Sequence, residues 1–133
     1  MTDVSAGPRT LRARSAAPVF DECYRLILEI YGDVRQFPKS ERYLLGQRIE
    51  QASVGVLASL VEANHETCKA AALRAASIEV EKLRVFVRLA KDLGFLSFGR
   101  YEALERRVDI IGRMLGGWIK WAAARAAEPA CDG

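Results

Sequence analysis

CKAAALRAASIEVEKLRVFVRLAKDL, residues 68–93, is the stretch that decides the fold. Its apolar residues recur at the three- and four-residue intervals of an α-helix, and strand-like alternation is absent. On an ideal wheel they cover an arc of about 200°, about twice the stripe that a surface helix needs. The arc is formed by Ile78, Leu89, Phe86, Leu83, Leu93, Val87, Val80 and Leu73. The stretch therefore predicts a long helix, ended by Gly94, that packs on more than one side.

Helix-breaking residues divide the rest of the chain into three further helices. Pro18 and Pro38 are each suited to a first helical turn, and Ser97 is a good N-cap. Short connections make successive helices antiparallel, so the predicted fold is an all-α, up-down four-helix bundle. The predicted helices cover residues 18–36, 38–64, 68–93 and 97–127. The bundle is thus expected over residues 18–127, between disordered segments at 1–17 and 128–133.

One face of each helix is predicted to form the core. The first helix contributes Phe20, Tyr24, Ile27, Tyr31 and Val34, with Asp21, Glu22, Arg25 and Glu29 facing outward. The second contributes Leu45, Ile49, Ala52, Val56, Leu60 and Ala63, and the last contributes Leu104, Ile111, Leu115 and Ile119.

Further apolar residues lie away from these core faces. They are Val54, Leu57 and Val61 in the second helix and Ile110, Met114 and Trp121 in the last. Large exposed apolar patches usually mark interfaces, so these six residues predict an oligomer interface. The alternative is that one helix is simply central in a packed monomer.

The composition describes a well-packed globular chain. Half of the 133 residues are hydrophobic and 28% are charged, which excludes a mostly disordered protein. No apolar run is long enough to cross a bilayer.

The odd number of cysteines (Cys23, Cys68 and Cys131) favours a reducing cytoplasm over a disulfide framework. The Arg- and Ser-rich start resembles a transit peptide or, alternatively, a frayed terminus.

The chain offers little for catalysis. His65, the single histidine, lies in a predicted turn without a second ligand at metal-binding spacing. Glu79 and Glu81 point to different helix faces, so they do not form an acid–base pair. No glycine-rich phosphate loop follows a strand. We therefore expect no enzyme, no cofactor and no metal site.

Basic residues are more informative, because residues 66–128 carry an excess of four positive charges in a chain of net charge +3. Arg84, Arg88 and Lys91, with Arg74 further along, form one line on the third predicted helix. Arg106, Arg113 and Lys120 keep heptad spacing on the last. Either line could follow phosphates, and the alternative is ordinary solvated charge.

Three other features of the last two predicted helices bear on how they contact their surroundings. Glu79 and Lys82 could pair with each other or across an interface, or the lysine could extend to solvent. Gly116-Gly117 indicates a close helix contact or a kink, or else an early helix end. Trp118 points to the core, whereas Trp121 could anchor a partner.

Several motifs resemble one family, the accessory variability determinant (Avd) proteins of diversity-generating retroelements. They are Phe37-Pro38-Lys39, Arg42-Tyr43, Leu45-Gly46 and Arg48-Ile49, then Glu81-Lys82-Leu83-Arg84, Arg88-Leu89 and Asp92-Leu93. The most specific is Ile111-Gly112-Arg113-Met114-Leu115-Gly116-Gly117-Trp118-Ile119-Lys120. The likeness spans about residues 20–121.

The resemblance implies a non-enzymatic four-helix bundle that assembles into a basic, barrel-shaped homopentamer. Such a protein binds the reverse transcriptase of the element and associates with RNA or DNA during mutagenic copying and retrohoming. The resemblance does not assign individual basic residues to RNA or to the polymerase. Lys39, Arg42 and Arg48 are second-rank candidates for these contacts.

Two rival functions stay open. Four-helix proteins encoded in ribosomal-RNA intervening sequences share the Phe-Pro turn and would be oligomeric interaction modules without a polymerase partner. A small helical enzyme would need inward-facing carboxylates or histidines, and no such cluster can be assembled from this sequence.

Overall fold

The structure of the protein is a computed structural model that describes residues 11–125, with side chains from residue 18 onward. Within that range the regular elements are helices: α1 (Leu11–Val34), α2 (Lys39–Arg42), α3 (Leu45–His65), α4 (Ala70–Asp92) and α5 (Phe98–Arg125). The long helices form a ring in which α1 packs against α3 and α5, and α4 packs against the same two. Because the connections are short, chain neighbours are antiparallel, and the predicted four-helix bundle is confirmed.

The first helix starts earlier than predicted. α1 begins at Leu11, so Pro18 lies inside it and the helix includes residues 11–17. A proline already has helical φ, so a helix can extend on its N-terminal side when it gives up one hydrogen bond. Residues 1–10 and 126–133, which hold the rest of the predicted terminal segments, lie outside the described residues.

The core face of α1 is shifted by one position from the predicted stripe. Its buried residues are Val19, Cys23, Leu26, Ile30 and Val34. Tyr24 is 61% exposed and Tyr31 40%, so their assignment to the core was wrong. Each tyrosine keeps a hydroxyl that prefers water, whereas a free cysteine packs as a small apolar residue. Phe20 and Ile27 are half-buried beside this face.

The other predicted core faces are largely confirmed. In α3 and α4 the buried residues include Ile49, Ala52, Val56, Leu60, Ala63, Leu73, Val80, Leu83 and Val87. In α5, Leu104, Ile111 and Leu115 are buried, but Ile119 is exposed and was wrongly placed in the core. Trp118 fills that end of the core instead and meets Phe20 edge to face. The indole ring of Trp118 reaches α1, whereas the Ile119 side chain faces away from the core.

The single helix predicted from Pro38 onward is broken in two. α2 ends at Arg42, Leu44 has φ −113° and ψ −98°, and α3 then begins at Leu45. At the start of α3, a Cβ on Gly46 would lie only 2.7 Å from Cγ1 of Val34. The break therefore brings α3 against the end of α1 at a position that only glycine fits.

The turn between α4 and α5 is built as the sequence indicates. Gly94 has φ +84°, its N–H donates to the Lys91 carbonyl, and the Phe95 N–H donates to the Ala90 carbonyl. These two bonds form a Schellman C-cap. The Ser97 hydroxyl then accepts a hydrogen bond of 3.1 Å from the Arg100 N–H, which confirms it as the N-cap of α5.

Lys69 is a buried lysine between α3 and α4. Lys69 is 5% exposed, and its Nζ donates to the carbonyls of Ala63 and Glu66, where the end of α3 carries partial negative charge.

Burial raises the pKa of the free Cys23 thiol to about 12. Cys68 is disulfide-bonded, so the expectation of a chain without disulfides is wrong at this residue. Among the described helices, none has the length and apolar character of a bilayer span.

Candidate nucleic-acid interface

The basic line of α5 lies open on the surface. Arg106, Arg113 and Lys120 are all exposed, and within residues 18–125 none of the three forms an ion pair. Heptad spacing keeps them on one side of the helix, about 10 Å apart along its axis. Each of these three unpaired cations can donate to an anionic oxygen without first breaking an internal contact.

The corresponding line on α4 is partly occupied by carboxylates and an aromatic ring. Arg84 Nη1 lies 2.6 Å from Asp109 Oδ1 and 3.7 Å from Glu105 Oε1, both on α5. A Cβ on Gly112 would lie 2.9 Å from Arg84 Nη2, so the guanidinium also packs against α5 at this glycine. Arg84 thus joins two helices of the bundle and presents less free charge than its sequence position indicates.

The remaining predicted cations of α4 differ in their availability. Lys91 Nζ lies 4.6 Å from the centre of the Tyr101 ring and 3.2 Å from Asp92. Arg88 is open, since 72% of its side chain is exposed and its ion pair with Asp92 is long, at 3.9 Å. Arg74 is exposed. Arg88 and Arg74 therefore supplement the α5 line, and Lys91 contributes less.

Two further arginines of α5 hold helices of the bundle together, and neither was predicted as a functional residue. Arg107 donates to Glu22 at 2.7 Å and to Glu29 at 3.1 Å, both on α1. Arg100 makes two bonds to Asp33, at 2.8 and 2.9 Å. The hydrogen bond that Arg107 donates to Glu29 is the largest cause of its raised pKa, and the bonds that Arg100 donates to Asp33 are the largest cause of its raised pKa.

A signal for this network was present in the chain. Glu22 and Glu29 are seven residues apart, as are Arg100 and Arg107, so each pair lies on one face of its helix. Glu22 and Glu29 were predicted to face outward, and both are half-buried instead. The prediction was wrong because it treated each helix face without its neighbour's charges.

An apolar surface runs along α1 and α3, and we call it the α1/α3 face. Carboxylates on one side of α1 pair with α5, so its other side adjoins α3, where Tyr24 and Leu28 are exposed. On α3, the contact of Gly55 with Glu79 marks the side next to α4, so Val54 and Val61 lie next to α1. Val54 and Val61 are 42% and 45% exposed, and Leu57 between them is half-buried.

A second apolar surface lies on α4 and the start of α3, and we call it the α4 face. Ile78, Val85, Leu89 and Leu93 are exposed along α4. Near its C-terminal end an open groove of about 510 Å³ is lined by Phe86, Leu89, Leu93, Tyr43, Leu44, Leu45, Glu41, Gln47, Arg48 and Gln51. Exposed apolar side chains thus lie on two separate sides of one bundle, and contiguous apolar patches of this kind commonly mark interfaces.

The predicted apolar patch of α5 is smaller than expected. Ile110 and Met114 are half-buried, and Met114 packs against the core. Trp121 is 41% exposed, with the Arg125 guanidinium 4.6 Å from its ring centre. Gly116 and Gly117 lie inside α5, so the helix does not end early, and a Cβ at either glycine would meet no atom of a neighbouring helix in the described chain within 4 Å.

The polar residues considered for chemistry have ordinary surroundings. Glu79 and Lys82 pair with each other at 3.5 Å, and His65 is exposed at the end of α3. Over the described residues, no three His, Cys, Asp or Glu side chains are grouped to hold a metal ion. Among the second-rank cations, Arg42 donates to the Phe37 carbonyl, and Lys39 and Arg48 are exposed.

No curated protein matches the chain. The model of one family, described as bAvd-like, matches residues 19–122, which hold the core of all four long helices and the open basic line of α5. Because this match covers most of the sequence, the chain belongs to the bAvd-like family.

Proposed function

We propose that this protein is a non-enzymatic accessory subunit of a diversity-generating retroelement. It binds the reverse transcriptase and the template RNA or its cDNA in the cytoplasm, and it supports mutagenic reverse transcription and retrohoming. Family membership supports the class of protein. The open basic line of Arg106, Arg113 and Lys120 is the observation that carries the binding of nucleic acid.

Charge accounts for why this line, rather than the one on α4, contacts phosphates. Arg84 would have to break its ion pair with Asp109 before it could neutralise a phosphate, so the net gain in binding free energy would be small. The α5 cations have no such competitor among the described side chains, so phosphate contacts there replace only water and counterions. Arg88 and Arg74 extend the basic area around the bundle.

The two apolar surfaces support assembly as a ring, the homopentameric barrel that the family resemblance implies. A head-to-tail contact needs two different patches on each subunit, and successive contacts close into a ring when the rotation allows. The α1/α3 face and the α4 face are two such patches on different sides of the bundle. Ring closure repeats the basic line in every subunit and so strengthens attraction for a polyanion.

A paired charge reversal tests the proposal. Arg106→Glu with Arg113→Glu should abolish retention of template RNA, because repulsion replaces two phosphate contacts. The matched control is Arg25→Glu with Arg35→Glu, which changes the charge equally at an exposed position of α1 and at an exposed position in the turn that follows it. Filter binding measures RNA retention, and light scattering checks that both variants keep the wild-type oligomer.

A co-purification experiment, read together with RNA retention, separates the rival functions. Co-purification with the reverse transcriptase encoded beside the gene is expected for an accessory subunit. An oligomer that binds neither this polymerase nor RNA would overturn the proposal and favour an interaction module of the intervening-sequence type. Equal RNA retention by both variants would remove the α5 line from the binding surface.

A further inference from the structure

Trp121 is an exposed aromatic ring whose surroundings differ from those of the apolar faces. It is 41% exposed in the last turns of α5, whereas Trp118, three residues earlier, is 9% exposed. The Arg125 guanidinium stacks at 4.6 Å from its ring centre. The nearby Ile110 and Met114 are half-buried, so Trp121 stands without an apolar patch large enough to dock a subunit.

Gly117 leaves space on the approach to this ring. It precedes Trp121 by one helical turn, and side chains of a helix lean toward its N-terminus, over the preceding turn. A Cβ at Gly117 would meet no atom within 4 Å, and Gly117 itself is exposed. The space above Gly117 is therefore open to a flat group that approaches the indole from that side.

Cations surround this opening. Lys120 is the neighbour of Trp121 in the chain, and Arg113 lies one turn before Gly117; both are exposed and without an ion pair in the described structure. Arg125 adds a third positive charge. A protein partner with an ordinary apolar surface would leave these charges uncompensated, whereas a ligand with both anionic groups and flat rings matches them.

We propose that Trp121 is a stacking platform for an unpaired base of single-stranded nucleic acid. The base stacks on the indole above Gly117, and the flanking phosphates contact Lys120 and Arg113. This inference rests on the proposed nucleic-acid function and goes beyond it, because it selects single strands over duplexes. In a duplex the base faces are already stacked and cannot reach the indole.

The test compares the wild-type protein with Trp121→Leu, which keeps an apolar side chain and removes the aromatic face. The probes are an oligouridylate of about a dozen nucleotides and an RNA duplex of the same length. We expect the single strand to quench Trp121 fluorescence, and Trp121→Leu to bind it about tenfold more weakly. Duplex affinity and the oligomeric state should not change. Trp118 is a suitable internal reference because it is buried.

A matched variant keeps the two proposals distinguishable. Arg113→Glu should weaken both the single strand and the duplex, because it removes a phosphate contact common to both. If Trp121→Leu binds the single strand as well as wild type, or changes the oligomeric state instead, the stacking platform is wrong while the basic surface stands. If the wild-type protein binds neither probe, both proposals fail.

Discussion

Neighbouring arginines on α5 have opposite roles, which depend on the side of the helix that each occupies. Arg106 is exposed and unpaired among the described residues, whereas Arg107 bridges Glu22 and Glu29 on α1 with 24% of its side chain exposed. An arginine fork can hold two carboxylates at once, which a lysine does poorly. One residue is therefore available to a ligand, and the next holds α1 against α5.

Arg107→Met should lower the free energy of unfolding by about 1–3 kcal/mol, because two half-buried carboxylates lose their counter-charge. Arg106→Met is the matched control one residue away, and we expect it to change stability by less than about 0.5 kcal/mol. Urea unfolding followed by circular dichroism measures both. Equal stability of the two variants would mean that the α1–α5 ion pairs contribute little.

At the scale of the helices, the ends are specified by local chemistry. α4 stops at a Schellman motif because Gly94 adopts a positive φ, and α5 begins where Ser97 caps it. α3 begins where Gly46 meets Val34. These ends set the lengths of the helices.

Gly94→Ala should destabilise the bundle by about 1–2 kcal/mol, because an L side chain is strained at that φ. Gly99→Ala is the contrasting control, since Gly99 lies in the first turn of α5 with open space around it. There alanine should be neutral or stabilising by up to about 1 kcal/mol. Thermal unfolding separates the two, and a stabilising Gly94→Ala would contradict the observed cap.

For the whole molecule, the two apolar faces bear on how copies associate. In the ring that we propose, the α1/α3 face of one copy contacts the α4 face of the next. Val54 and Leu89 are similarly exposed, at 42% and 43%, and they represent the two faces. A charge at either position would therefore block one side of every contact without entering the core.

Val54→Asp and Leu89→Asp should each abolish the ring, because every contact then includes one charged face. Mixed together, the two variants should form a heterodimer and stop there, since each supplies the face that the other lacks. Sedimentation velocity measures the species. A wild-type ring from either variant alone, or a mixture that stays monomeric, would rule out the head-to-tail arrangement.

Part of the candidate site was predictable from the chain because the signals are local. The spacing of Arg106, Arg113 and Lys120 places them on one helix face in any fold that contains the helix. The same holds for the Glu79–Lys82 pair, three residues apart, and for the Gly94 and Ser97 caps. Helix identity and the main core faces of α3 and α4 follow from the same periodicity.

Packing between helices decided the rest. The register of α1 turned on whether tyrosines or Cys23 entered the core, and a single helix pattern does not distinguish the two choices. The pairing of Arg84 with Asp109 and of Arg107 with Glu22 joins residues far apart in the chain. Which cations remain open to a ligand is therefore a tertiary property, because a charge is free only when no neighbouring helix supplies its partner.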